Sequence, residues 1–91
     1  MENNIGEVLR LLRVANDLSI TALSERTGIS KSYITEIEKG KKNPSNNILL
    51  EYCDGLNISI DSLLYLFKDT ENKEYSYQKL LIKILKTISK L

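Results

Sequence analysis

The sequence contains no histidine and no tryptophan, one cysteine (Cys53) and one proline (Pro44). A single cysteine excludes an intrachain disulfide and any CxxC metal site. With no histidine either, zinc sites of the usual kinds are excluded. One proline and four glycines leave room for long helical stretches. No apolar run approaches the roughly 18–20 residues of a membrane span, and no signal-peptide pattern opens the chain. These absences lead us to expect a reducing, cytoplasmic setting. Strand-length alternation of Val, Ile or aromatic residues with polar ones is also missing, so the expected fold class is all α.

What is present is ordinary soluble composition: 91 residues, 42% apolar and 27% charged. That length suits one domain with an appended helix and one modest core. The net charge is only +1, but its distribution is uneven. Residues 26–42 carry Arg26, Lys31, Lys39, Lys41 and Lys42 against Glu36 and Glu38. Residues 43–72 carry Lys68 against Glu51, Asp54, Asp61, Asp69 and Glu71. A small domain polarised in this way steers one face toward phosphate and keeps the other away.

Helical spacing and capping residues divide the chain into five short helices and a sixth set apart. The first covers 3–16, with Ile5, Leu9 and Leu12 in register, and Asn16-Asp17 breaks it. Ser19 is placed to cap a second helix over 20–26, whose core residue is Leu23 and whose small Ser24 permits close helix approach. Gly28 suits the left-handed position after it. Ser30 caps a third helix over 31–39 with Ile34 and Ile37 inward, and Gly40 stops it. Lys41-Lys42-Asn43-Pro44 is a basic loop. Ser45 caps a fourth helix over 46–55, with Leu49, Leu50, Tyr52 and Cys53 available for packing. Asn57 tolerates a left-handed conformation. Ser59 or Asp61 opens the fifth helix, whose apolar residues are Leu63, Leu64 and Leu66. The expected organisation is a domain over 1–67, a linker over 68–74 and a C-terminal helix over 75–91.

The stretch from Leu18 to Pro44, LSITALSERTGISKSYITEIEKGKKNP, is the most informative. It reads as two short amphipathic helices joined by a tight turn at Thr27-Gly28-Ile29-Ser30. At 100° per residue, Lys31, Ser32, Thr35, Glu36 and Lys39 fall within about 140° of one another, opposite Ile34 and Ile37. Lysine donates to guanine O6 and N7. Serine and threonine donate or accept, and glutamate accepts from cytosine N4. A second helix with such a face, followed by a basic loop, is the arrangement that reads the major groove of DNA.

Three segments, IGEVLRLLR, LSITALSERTGISKSYITEIEKGKKNPS and ILLEYCDGLNISIDSLL, carry a family resemblance. With Leu23, Gly28, Ile34, Ile37, Glu38, Gly40, Pro44, Leu56 and Leu63 at their spacing, residues 5–64 resemble the Cro/C1-type (XRE-like) helix-turn-helix family of phage repressors and small bacterial regulators. The resemblance implies a five-helix lambda-repressor-like domain. It also implies base contacts from Lys31, Ser32 and Thr35 or Glu36, and backbone contacts from Ser30, Tyr33, Lys39 and Asn43. Ser19, Lys41 and Lys42 are expected on the phosphates as well. The family position of Arg13 commonly pairs with that of Glu38, and such a bidentate pair would lock the first helix to the base of the recognition helix. One departure is Ile20, where the family often has a glutamine that meets phosphate. Val8 and Leu11 are also more apolar than is usual there, which suggests packing against the C-terminal helix.

Family members usually dimerise, and two-fold symmetry then calls for a palindromic site. The candidate contact is the seam Tyr77, Leu81, Ile84, Ile88 and Leu91, spaced 4, 3, 4, 3. The opposite stripe, Lys79, Lys83, Lys86 and Lys90, is all lysine. A seam of two heptads is too short to hold as a free coiled coil, so it is expected on the fifth helix of its own chain or of a partner. No convergent acid, base or nucleophile points to an enzyme, and no cofactor is expected. The functional expectation is a sequence-specific, homodimeric regulator of transcription, a repressor, associated with the nucleoid when bound. Two alternatives are a restriction-modification controller protein and an antitoxin-like regulator whose C-terminal helix engages another protein.

Overall fold

The structure is a computed structural model that describes residues 4–69 and 76–89. The described residues form six helices: α1 (Asn4–Ala15), α2 (Ile20–Thr27), α3 (Lys31–Glu38), α4 (Asn46–Gly55), α5 (Ile60–Asp69) and α6 (Tyr77–Ser89). No strand occurs among them, so the fold class is all α.

Serine begins five of the six helices. The hydroxyls of Ser19, Ser30 and Ser45 accept from the backbone N–H groups of Ala22, Tyr33 and Ile48. Ser59 and Ser76 accept likewise from Ser62 and Lys79. Each such cap contributes about 1 kcal/mol by satisfying a donor the helix cannot. Ser59 is therefore the residue that opens α5. Ser76 fixes the start of α6 at Tyr77, two residues later than the spacing suggested. The ends are equally local. Gly28 and Gly40 sit at φ +78, and Asp17 and Asn57 take the left-handed conformation at φ +59 and +57.

Val8, Leu9 and Leu12 of α1 are fully buried with Leu23, Ile34, Ile37, Tyr52, Leu63, Leu66, Leu80 and Ile84. α1 packs against α3, α5 and α6, and α2 packs against α3 and α4. Two contacts are backbone-close. A Cβ on Gly6 would run into the carbonyl oxygen of Ile37, and one on Gly55 would lie 2.5 Å from the Thr27 methyl. Glycine at these positions lets α1 lie on the end of α3, and α4 on the end of α2.

Four details differ from the sequence reading. Lys68 and Asp69 belong to α5 rather than to a linker, and Lys68 sits in the last turn, where a cation complements the helix dipole. Residues 70–74 lie outside the described residues. Leu50, counted as available for packing, and the apolar Leu64 are exposed, because Tyr52, Cys53, Leu63 and Leu66 already occupy the inner sides of their helices. Ile84, assigned to a dimer seam, is fully buried within its own chain. The innermost residue beside it is Leu80, while Leu81 is half-buried at the flank. α6 lies on α1 and α5, turning Leu80 and Ile84 inward with Leu81 packed beside them. Leu91 and the side chains of Tyr77 and Ile88 lie outside the description. Val8 and Leu11, whose apolar character anticipated such a contact, are buried on the helix that α6 covers.

Candidate nucleic-acid interface

α3 is held from three directions. On its inner side Ile34 and Ile37 are fully buried. At its start, the turn from α2 is tied by side chains. Ser24 donates to the carbonyl of Ile29 at 2.6 Å, and Thr27 donates to the carbonyl of Leu23 and accepts from the Ile29 N–H. At its end stands Glu38, a carboxylate where the helix dipole disfavours one. Arg13 compensates: its Nε and one terminal nitrogen donate to the two Glu38 oxygens at 2.8 and 3.0 Å. The remaining terminal nitrogen donates to the carbonyl of Leu18 at 2.8 Å. One guanidinium thus joins α1, the α1–α2 connection and the foot of α3, and its hydrogen bond to Glu38 holds its pKa above the ordinary arginine value.

The outer side of α3 then projects in a fixed orientation. Lys31 and Ser32 are exposed, Thr35 and Glu36 are half-buried, and the four line one shallow concavity of about 370 Å³. Their chemistry offers a cation, two hydroxyls, a methyl and a carboxylate acceptor, which together can address base edges. Tyr33 flanks this face and packs partly against the core. Ser19 and Ser30 use their oxygens as cap acceptors, which leaves each exposed hydroxyl hydrogen able to donate to a phosphate.

The loop after α3 is anchored to it. The N–H groups of Lys41 and Lys42 donate to the carbonyl of Glu36 at 2.8 and 3.3 Å, and that of Gly40 donates to Ile37. This holds the exposed Lys39, Lys41, Lys42 and Asn43 at the C-terminal end of the concavity-bearing helix. With Glu38 neutralised by Arg13, four lysines stand on α3 and its loop against the carboxylate of Glu36.

Two features escaped the sequence reading. Arg26, counted with the basic segment, donates to the carbonyl of Gly55 at 3.2 Å, tying α2 to the end of α4. The hydroxyls of Ser24 and Thr27 clamp the turn. Their residue types suit local hydrogen bonding, but nothing in the sequence identifies their partners. Ile20, where a phosphate-binding glutamine is usual, packs partly against the core.

A helix-turn-helix family model matches residues 9–63, and the chain belongs to that family, of Cro/C1 type. It therefore contains a helix-turn-helix domain of the kind found in transcriptional regulators. Among curated proteins it is 32% identical over 60 residues to the transcriptional regulator ClgR of Mycobacterium tuberculosis, covering 66% of this chain and 54% of ClgR. It is 37% identical over 60 residues to the regulator SlrR of Bacillus subtilis, covering 65% of this chain and 40% of SlrR. It is 32% identical over 68 residues to the regulator SinR of the same organism, covering 74% of this chain and 61% of SinR. The matched part is about half of these relatives' own length. No helix among the described residues is long and apolar enough to cross a membrane.

Proposed function

We propose that this chain regulates transcription by binding double-stranded DNA sequence-specifically, with α3 in the major groove. It binds a palindromic operator as a homodimer and acts as a repressor, associated with the nucleoid when bound. One observation carries the reading. Lys31, Ser32, Thr35 and Glu36 share one exposed concavity on a helix whose opposite side is buried and whose end is pinned by Arg13 and Glu38. Side chains held in this way meet base edges without first losing backbone freedom. Lys31, Ser32, Thr35 and Glu36 read bases; Ser19, Ser30, Tyr33, Lys39, Lys41, Lys42 and Asn43 hold the sugar-phosphate backbone.

Selection of sites from random duplex DNA, followed by titration of variants at several salt concentrations, tests this assignment. Lys31→Ala and Ser32→Ala each cost about 1–3 kcal/mol on the selected site and relax preference at one base pair. Lys41→Ala weakens selected and random DNA alike and lowers the salt slope by about one. Identical behaviour of the two kinds of variant on both DNAs would overturn the division of roles. A selected motif without two-fold symmetry would overturn the dimer.

A further inference from the structure

Resting on the homodimer reading, we infer that two copies of this chain meet through the layer formed by α4, α5 and α6, with α4 of each copy lying over α6 of the other. Five of the six large apolar residues exposed among the described residues lie on these three helices: Leu50, Leu64, Tyr65, Ile82 and Leu85. None lies on α2 or α3. An apolar surface concentrated in this way marks an interaction site.

The order of the helices and the signs of their charges identify the occupant. α5 is the middle element. Along one edge its Ile60 and Leu64 meet Asn46, Leu49 and Leu50 of α4 around a groove of about 260 Å³. Along its other edge Lys83 of α6 stands over the Tyr65 ring, 4.8 Å from the centroid. α4 contains no basic residue and exposes Glu51 and Asp54. α6 contains no acidic residue and exposes Lys79 and Lys86 beside Ile82. On α5, Asp61 and Asp69 against Lys68 leave a net charge of −1, smaller than the −2 of α4 or the +3 of α6. Pairing α6 with a second α6 would set lysine against lysine, and pairing α4 with α4 would set acid against acid. A two-fold axis running along α5 avoids both, because it exchanges the two edges of the layer and places each acidic helix on a lysine helix. Leu64 and Tyr65 then meet their own copies near the axis, and the face of α3 takes no part.

Charge reversal on the full chain, followed by sedimentation equilibrium at low and high salt, tests this. The wild-type dimer should weaken as salt is raised. Glu51→Lys with Asp54→Lys, and separately Lys79→Glu with Lys86→Glu, should each weaken self-association by about tenfold or more at low salt. Mixing the two variants should restore a dimer of wild-type strength, because every reversed helix then faces an opposite charge. All four positions are exposed, so folding should be retained, as an unchanged circular dichroism melt would show. A wild-type dimer indifferent to reversal on α4, or strengthened by reversal on α6, overturns this interface and leaves the homodimer standing. A wild-type chain that stays monomeric with and without operator DNA overturns the homodimer itself.

Discussion

The pair between Arg13 and Glu38 permits a quantitative test of what holds α3 in place. Their side chains are 12% and 5% exposed, so neither end is well solvated. Replacing Glu38 by leucine leaves the guanidinium with one protein acceptor among those described here, the carbonyl of Leu18. Replacing Arg13 by methionine leaves a desolvated carboxylate at the negative end of α3. Each single change should therefore cost about 3 kcal/mol, the penalty for stranding one partner of a shielded pair. The double variant, Arg13→Met with Glu38→Leu, removes both charges together and should cost only about 0–2 kcal/mol, because apolar replacements recover much of the desolvation.

The cycle thus predicts a coupling of about 4–6 kcal/mol, several times the value for an exposed ion pair. Urea unfolding of the four proteins at one pH measures it. Thermal melts should show each single variant lowered by more than 10 °C, at about 4–8 °C per kcal/mol for a domain of this size. A coupling below about 0.5 kcal/mol would mean that water screens the pair, and the argument for a pinned α3 would fail. Operator affinity of the double variant adds a second readout. If the pair orients α3 as well as stabilising it, that variant binds more weakly than its retained fold would suggest.

Two further outcomes follow from the packing. Gly6→Ala should destabilise the chain by about 2–3 kcal/mol or more, because the new Cβ meets the backbone carbonyl of Ile37, which cannot rotate away. The helix-propensity gain of about 1 kcal/mol is too small to compensate, and a Gly6→Ala protein that unfolds at higher urea than the parent would refute the contact. Tyr52 is fully buried with a hydroxyl that has no hydrogen-bond partner among the described residues. Burial first, and then the neighbouring Glu38 carboxylate, push its phenol well above the ordinary tyrosine range. A raised phenol pKa in the folded state contributes stability that is complete below the unfolded value near 10 and is lost as pH rises toward the folded one. Stability against pH should therefore fall more steeply above about pH 10 in the parent than in Tyr52→Phe, by up to about 1.4 kcal/mol per unit. Tyr52→Phe should be no less stable at neutral pH. Parallel curves in the alkaline range would show that the phenol is not shielded.

The parts of this molecule legible in its sequence are those set by short-range chemistry. Serine before a helix and glycine or asparagine after it act within four residues. The caps at Ser19, Ser30 and Ser45 and the left-handed Gly28 and Asn57 therefore follow from the chain alone. The polar side of α3 was legible for the same reason, since helical geometry alone puts Ile34 and Ile37 opposite Lys31 and Ser32. What was not legible depends on which elements meet. A heptad spacing in 77–91 is compatible with pairing to another helix and with lying across two helices of its own chain. The burial of Leu80 and Ile84, against the half-exposure of Leu81, shows the second. Once α6 takes that place, the choice of exposed residues is determined too. Ile82 and Leu85 turn outward because their neighbours turn inward, and Leu50 and Leu64 stay uncovered because α6 lies on α1 and α5. The apolar surface left over is thus a consequence of docking the tail, and the tail places a row of lysines on the edge of the layer opposite the acidic α4. The helix that completes the core thus also gives the outer face two edges of opposite charge, which is what the proposed homodimer requires.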